Sequence, residues 1–361
     1  MKSLKIGNLT IQTPIIQGGM GVGISLSGLA SAVANQGGVG VISAAGLGVI
    51  YNKFSPIYNE ASIFGLKEEI RKAREATKGV IGVNVMVAMS NFADMVKTAI
   101  SEKVDIIFSG AGLPLSLPSF LTKDSETKLV PIVSSGRAAK LLCNKWFKGY
   151  GYAPDAIVVE GPKAGGHLGY SVEELNDADH SLESIVRDVV SVVREFESAN
   201  DCHIPVIAGG GIYSGEDILS IMSLGAEGVQ MGTRFVTTYE CDAADEFKQS
   251  YIDAKQSDIE IIQSPVGMPG RAIKGTFLSR VKEGLTAPKS CPFDCIKTCE
   301  VDRSPYCIMV ALYNAFKGKL DRGYAFAGSN AWRAEKLTSV KELFSSLKSE
   351  YDSAVSRITS K

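Results

Sequence analysis

Short apolar, β-branched runs recur along this chain without polar alternation, and helical patterns separate them. The runs are PIIQGG (14–19), VGVISA (39–44), VIGVNVMV (80–87), VDIIFSG (104–110), LVPIVSS (129–135), DAIVVEG (155–161), IPVIAGG (204–210) and GVQMGTR (228–234). A strand apolar on both faces is buried on both faces, which means parallel strands beneath helices. Between the runs lie LSGLASAVANQG, GLKEEIRKAREATKG, SNFADMVKTAISEK, GRAAKLLCNKWFKG, LESIVRDVVSVVREFES and SGEDILSIMSLGA, with a Pro-containing piece near 115–124. AADEFKQSYIDAK supplies the expected eighth helix. Eight such units in about 250 residues predict an α/β fold, a TIM (β/α)8 barrel. An open doubly wound sheet would carry G-x-G-x-x-G after its first strand, and QGGMGVG has the wrong spacing.

The rhythm stops after residue 254. The expected organisation is a barrel over 1–254, a lid or insertion over 255–335 that holds a bunch of cysteines, and a C-terminal helix over 336–361 that packs on the barrel. Net charge is -1, with no Lys/Arg cluster to serve as a nucleic-acid footprint. No apolar run reaches the roughly 18 residues of a membrane span, and the N-terminus lacks a signal-peptide pattern. A cytoplasmic protein that engages neither nucleic acid nor membrane is the expectation.

Chemistry in such a barrel collects at the carboxyl ends of the strands. There the chain places Gln17-Gly18-Gly19-Met20-Gly21, then Asn84, then Glu160 with Lys163, Gly165, Gly166 and His167. Gly209-Gly210-Gly211 and Gly232-Thr233-Arg234 follow the seventh and eighth strands. Paired glycine turns at those positions predict a phosphate site built from main-chain amides, with Thr233 adding a hydroxyl. Asn84, polar at the end of an apolar strand, suits a flat heterocycle, though a strand-end cap would look the same. His167, among glycines in AGGHLG, is the catalytic candidate because an imidazole exchanges protons near neutral pH. Arg234 reads as the partner of an acid at the rim ahead of a neutraliser of phosphate charge, and Arg271 and Lys274 as solvated surface ahead of contacts to an anionic substrate or a nicotinamide dinucleotide phosphate. Met20, Met86, Met231 and Met268 fit an apolar pocket wall or core packing equally well.

The segments QGGMG, GVNVMV, VVEGPKAGGHLGY, PVIAGGGIYSGEDILSIMSLGAEGVQMGTRF and YAFAGSNA resemble the nitronate monooxygenase family. Its superfamily includes the flavin-dependent enoyl-acyl-carrier-protein reductases. The resemblance covers roughly 5–254 and 324–332. It implies a barrel holding FMN non-covalently, with Gly18, Gly19 and Met20 along the flavin, Asn84 in contact with it and Gly165 beside it. Gly210, Gly211, Gly232 and Thr233 would hold the phosphate, and His167 matches the family's proposed catalytic histidine. Ser329 and Asn330 would return to the site. The implied activity is oxidation of alkyl nitronates by FMN and O2 to a carbonyl compound and nitrite, with small-molecule partners and a homodimer compatible. A lysine common in the monooxygenases after the fifth strand is replaced here by the VSSGR stretch, with Ser134, Ser135 and Arg137. AGGH is closer to the reductases, so an NAD(P)H-dependent enoyl reductase, with acyl carrier protein as partner, is the alternative. A non-catalytic flavin or metal redox module is a third.

Cys291, Cys295 and Cys299 fall at i, i+4 and i+8, one face of a helix that Ser290 would cap, and Cys307 follows a Ser-Pro turn. Three readings stand: a buried stripe packing the lid, a zinc or iron–sulfur site, or a redox sensor.

Overall fold

The computed structural model describes residues 1–360. A two-stranded antiparallel hairpin, β1 (Leu4–Ile6) and β2 (Leu9–Ile11), precedes the barrel. Seven of the remaining strands follow in chain order as β3 (Ile15–Gln17), β4 (Val39–Ser43), β5 (Val80–Met86), β6 (Ile106–Gly110), β7 (Lys128–Val133), β8 (Ile157–Glu160) and the short β9 (Gly166–His167). β10 (Val206–Gly209), β11 (Gly228–Met231), β12 (Ile259–Gln263) and β13 (Pro269–Ile273) complete the set. All strands except β1, β2, β9, β12 and β13 close into a parallel eight-stranded barrel, β11 pairing back onto β3. The TIM architecture read from the apolar runs is therefore present.

The helices are α1 (Ser27–Asn35), α2 (Leu47–Ile50), α3 (Tyr58–Ala76), α4 (Phe92–Ser101), α5 (Gly136–Tyr150), α6 (Leu182–Asn200), α7 (Gly215–Met222), α8 (Thr233–Val236), α9 (Asp245–Asp253), α10 (Thr276–Lys282), α11 (Ile308–Phe316) and α12 (Val340–Thr359). The piece near 115–124 shortens to a 3-10 turn over Leu117–Phe120, consistent with Pro118 in its first turn. None of these helices is long and apolar enough to cross a membrane.

Strand alternation divides the core in two. Ile16, Val41, Phe108, Val130, Val158 and Ile207 point inward and pack on Leu4, Ile6 and Ile11, so the N-terminal hairpin plugs the lower end of the barrel. Their outward neighbours, among them Ile15, Val83, Ile107, Val159 and Val229, pack beneath the ring of helices.

One element sits elsewhere than expected. The helix read from AADEFKQSYIDAK forms as α9, but Phe247 and Tyr251 pack with Ala325, Ala327 and Ala331. The eighth ring position, between α7 and α1, is taken by α12, whose Val340, Leu343, Phe344 and Leu347 join the main core. A capping box starts α12, with Glu342 accepting from Ser339 N at 2.9 Å, and Glu350 accepts from Gly215 N at 2.8 Å where α7 begins. The amphipathic stripe of α9 is shorter and less apolar than that of α12, and the longer apolar face wins the barrel surface.

β12, β13 and β9 form a small antiparallel sheet in which Gly270 faces His167 and Arg271 faces Gly166. Residues 325–327 extend it through Ile273 N to Ala325 O and Ala327 N to Arg271 O. This sheet roofs the carboxyl end of the barrel.

Candidate active site

The cavity at that end measures about 450 Å3, inside the ~300–1,000 Å3 range of small-molecule sites. Its floor follows from strand periodicity. Two residues beyond each inward core residue, every barrel strand presents one more inward position at its carboxyl end. These are Gly18, Ser43, Asn84, Gly110, Ile132, Glu160, Gly209 and Gln230, and all eight line the cavity. The floor thus combines Gly18, Gly110, Gly209 and Ile132 with the polar Ser43, Asn84, Glu160 and Gln230, and the carboxamide of Asn84 has no hydrogen-bond partner on the chain among the described residues. Gln230 was not singled out in the sequence; its signal is a polar residue at an inward position of an apolar strand.

The roof carries His167. Its Nε2 lies 2.7 Å from Ser264 Oγ, and Phe326 meets the ring edge-on at a centroid separation of 5.0 Å. Ser264, in the β12–β13 turn, came with no local signal, since nothing in the sequence links it to a histidine 97 residues away. Burial pushes the imidazole down to about 4, so the ring is neutral at working pH. Nδ1 has no hydrogen-bond partner among the described residues.

The end of the cavity beside the β10 and β11 turns collects the other expected residues. Gly210, Gly211, Gly232 and Thr233 line it with Gly165 and Lys163. Gly210 adopts φ +101°, and a Cβ there would lie 2.7 Å from the Gly161 carbonyl oxygen. A Cβ on Gly165 would lie 2.6 Å from the Ala327–Gly328 peptide. These glycines are therefore demanded by neighbouring backbone, whatever ligand the turns hold. The late segment does return: Gly328 N donates to Thr233 Oγ1 at 3.1 Å, Asn330 Nδ2 to Gly211 O at 2.6 Å, and Ser329 N to Lys163 O at 3.1 Å. Ser329 Oγ is buried there with no partner, an orphaned hydroxyl that a bound anion would satisfy. Gly18, Gly19 and Met20 adjoin the β11 turn, with Gly18 N donating to Met231 O at 2.9 Å, and Met86, Met231 and Met268 also reach the cavity. Glycine turns, an unsatisfied hydroxyl, one lining lysine and a polar floor make a set of groups that fits a flat ring with an anionic tail.

Several readings need correction. Arg271 is buried rather than solvated. It donates from Nη1 to Pro162 O at 2.7 Å and to Ala164 O, pinning the loop that carries His167, and burial lowers its guanidinium to about 10. Arg234 pairs with no acid among the described residues: its guanidinium lies 4.4 Å from the Tyr213 ring centroid, and Arg333 stacks at 4.4 Å on the same ring.

The helix expected for Cys291, Cys295 and Cys299 does not form. Pro292 and Asp294, at φ +42°, open the segment, and Ile296 bridges to Met89 across the cavity rim. Cys291 is exposed, Cys295 buried, and Cys299 and Cys307 lie between. Among the described residues no group of three or more His, Cys, Asp or Glu side chains is arranged to hold a metal ion, so the zinc or iron–sulfur reading finds no support in this geometry. Cys295, Cys299 and Cys307 instead pack with Val22, Val49 and Met309.

Residues 2–350 match the family model described as nitronate monooxygenase. A probable nitronate monooxygenase of Staphylococcus aureus (strain MSSA476) is 28% identical over 311 residues, covering 76% of this chain and 79% of the relative. The structure of FabK from Thermotoga maritima superposes with a TM-score of 0.74 at 27% identity, over 97% of this chain and 96% of that one. Nitroalkane oxidase from Streptomyces ansochromogenes superposes at 0.72 and 21% identity, over 96% and 98%, a likeness of fold.

Proposed function

The chain belongs to the nitronate monooxygenase family of FMN-dependent oxidoreductases, and on that premise we propose that it oxidises alkyl nitronates with O2, releasing a carbonyl compound and nitrite. The observation that carries this reading is the cavity itself, where a polar floor and glycine turns face a roof bearing one neutral histidine. The chemistry supplied by bound FMN is electron transfer from the nitronate carbon and onward to O2.

The chain's own residues bind, orient and screen. Gly210, Gly211, Gly232 and Thr233, with the Ser329 hydroxyl, would hold the phosphate. Gly18, Gly19, Met20 and Gly165 would flank the ring, and Asn84 and Gln230 would offer carboxamides from beneath. Ser264 fixes the His167 ring through Nε2 and leaves Nδ1 free to hydrogen-bond a nitro oxygen or to accept the α-proton of a neutral nitroalkane. Met268, Ile296, Met309 and Phe326 close the roof with apolar groups that exclude water.

The enoyl reductase reading keeps its own support in the AGGH tetrad and the likeness to FabK. One experiment separates the two. The purified yellow protein is mixed anaerobically with propionate 3-nitronate, NADH or NADPH. Bleaching by the nitronate alone, with nitrite formed once O2 is admitted, is the expected result. Rapid bleaching by NAD(P)H, reversed by crotonyl-thioester, would replace it with the reductase.

A further inference from the structure

Among the described residues Glu160 is the one acidic side chain lining the cavity. It ends β8, opposite Gly209 of β10, and follows Val158 in the inward register, so it belongs to the floor. No hydrogen bond or ion pair engages its carboxyl among the described residues. His167 stands across the cavity on the roof sheet, so a flat ligand between floor and roof would meet the two groups on opposite faces.

We propose that Glu160 is a cofactor-facing residue that carries a proton when FMN is bound, so that loading the cofactor takes up a proton from solution. The inference rests on the FMN reading above. Seating an aromatic ring over the floor strips remaining water from the carboxyl, and the phosphate brings further negative charge. Both favour the neutral acid, which can then donate a hydrogen bond that a carboxylate cannot.

The surroundings offer nothing to hold a carboxylate. Burial alone already raises Glu160 to about 7, with no contribution from a cation. The other titratable side chains lining the cavity are Lys163 and His167 from the following loop, Tyr213 beyond the glycine turn and Tyr251 from α9. No ion pair joins Lys163 to Glu160 among the described residues, and His167 is neutral. Tyr170, whose hydroxyl is pushed up by burial, donates to the main-chain oxygen of Glu160. On the neighbouring strands the floor offers Ile132 and Gly209, and farther round Asn84 and Gln230, none of them charged. Asp188 of α6 accepts from Gly136 N at 2.9 Å.

The test is calorimetric titration of FMN-free protein with FMN at pH 7.5, in buffers of different ionisation enthalpy, for the wild type and Glu160→Gln. Ionisation of the FMN phosphate itself is common to both and cancels. The wild type should take up about three-quarters of a proton more per FMN than the variant, and its affinity should fall by up to about tenfold per pH unit above 7 where the variant's does not. Equal proton counts overturn the inference and leave the FMN reading intact. Failure of the wild type to bind FMN sinks both. Should Glu160→Gln not fold, the infrared C=O stretch decides: a protonated carboxylic acid gained by the wild type on loading at pH 8 supports the proposal, and no gain overturns it.

Discussion

His167 Nε2 and Ser264 Oγ stand 2.7 Å apart, joining the loop after β8 to the turn between β12 and β13. The bond aims the ring, so Ser264→Ala should keep the fold and FMN content while loosening the imidazole. We expect a fall of about 5–10-fold in kcat/KM, the worth of one neutral hydrogen bond. His167→Ala should cost about 10²–10⁴-fold with neutral nitroalkanes and much less with preformed nitronates, since only the former require proton removal. Equal losses on both substrates would remove the proton-transfer role.

Opposite pH dependences are expected from His167 and Glu160. His167 has its folded value lowered to about 4, so the unfolded chain binds a proton that the folded chain refuses. Its neutral burial stabilises fully above about 6.5, and this is lost as pH falls towards 4. Glu160, raised to about 7, acts in reverse: stability is lost as pH rises from about 4.5 to 7. In FMN-free protein, Glu160→Gln should therefore raise Tm more at pH 8 than at pH 4.5, whereas His167→Gln should flatten the acid limb. Thermal melts across pH 4–8 check both.

Arg271→Met should loosen the 161–165 segment that leads into β9. Two buried carbonyls, Pro162 O and Ala164 O, lose their donor, a cost of about 2–4 kcal/mol. Limited proteolysis should cut near 162–170 in the variant and not in the wild type, with the barrel core left resistant.

Gly210→Ala forces a side chain into a left-handed turn and against the Gly161 carbonyl. Destabilisation of about 1–3 kcal/mol is expected, together with loss of the yellow colour on purification. Retention of stoichiometric FMN would mean that the phosphate lies elsewhere.

The thiols should divide by burial. Cys291 is exposed and should react first with a disulfide reagent at pH 8; Cys295, pushed to about 12 by burial, should react only on unfolding, like Cys143 and Cys241. Chelators should leave Tm unchanged. A drop in Tm with release of iron or zinc would restore the metal reading.

The sequence by itself was enough for the barrel and for the end at which its large cavity opens. Fully apolar strands can only be parallel and covered, and glycine turns, Asn84 and His167 at strand ends mark one rim. Those signals are local, because strand periodicity and turn chemistry act over a few residues. Packing between distant segments decided the rest. The α12 stripe took the ring position that α9 was expected to fill, a competition that neither segment reveals alone. Arg271 became a buried clamp because β13 pairs with β9, and Ser264 met His167 through the same pairing. Asp294 turned a helical cysteine spacing into a loop held to Met89. Each outcome depends on which surfaces meet once the chain closes, and contacts between remote residues leave no period in the sequence to read.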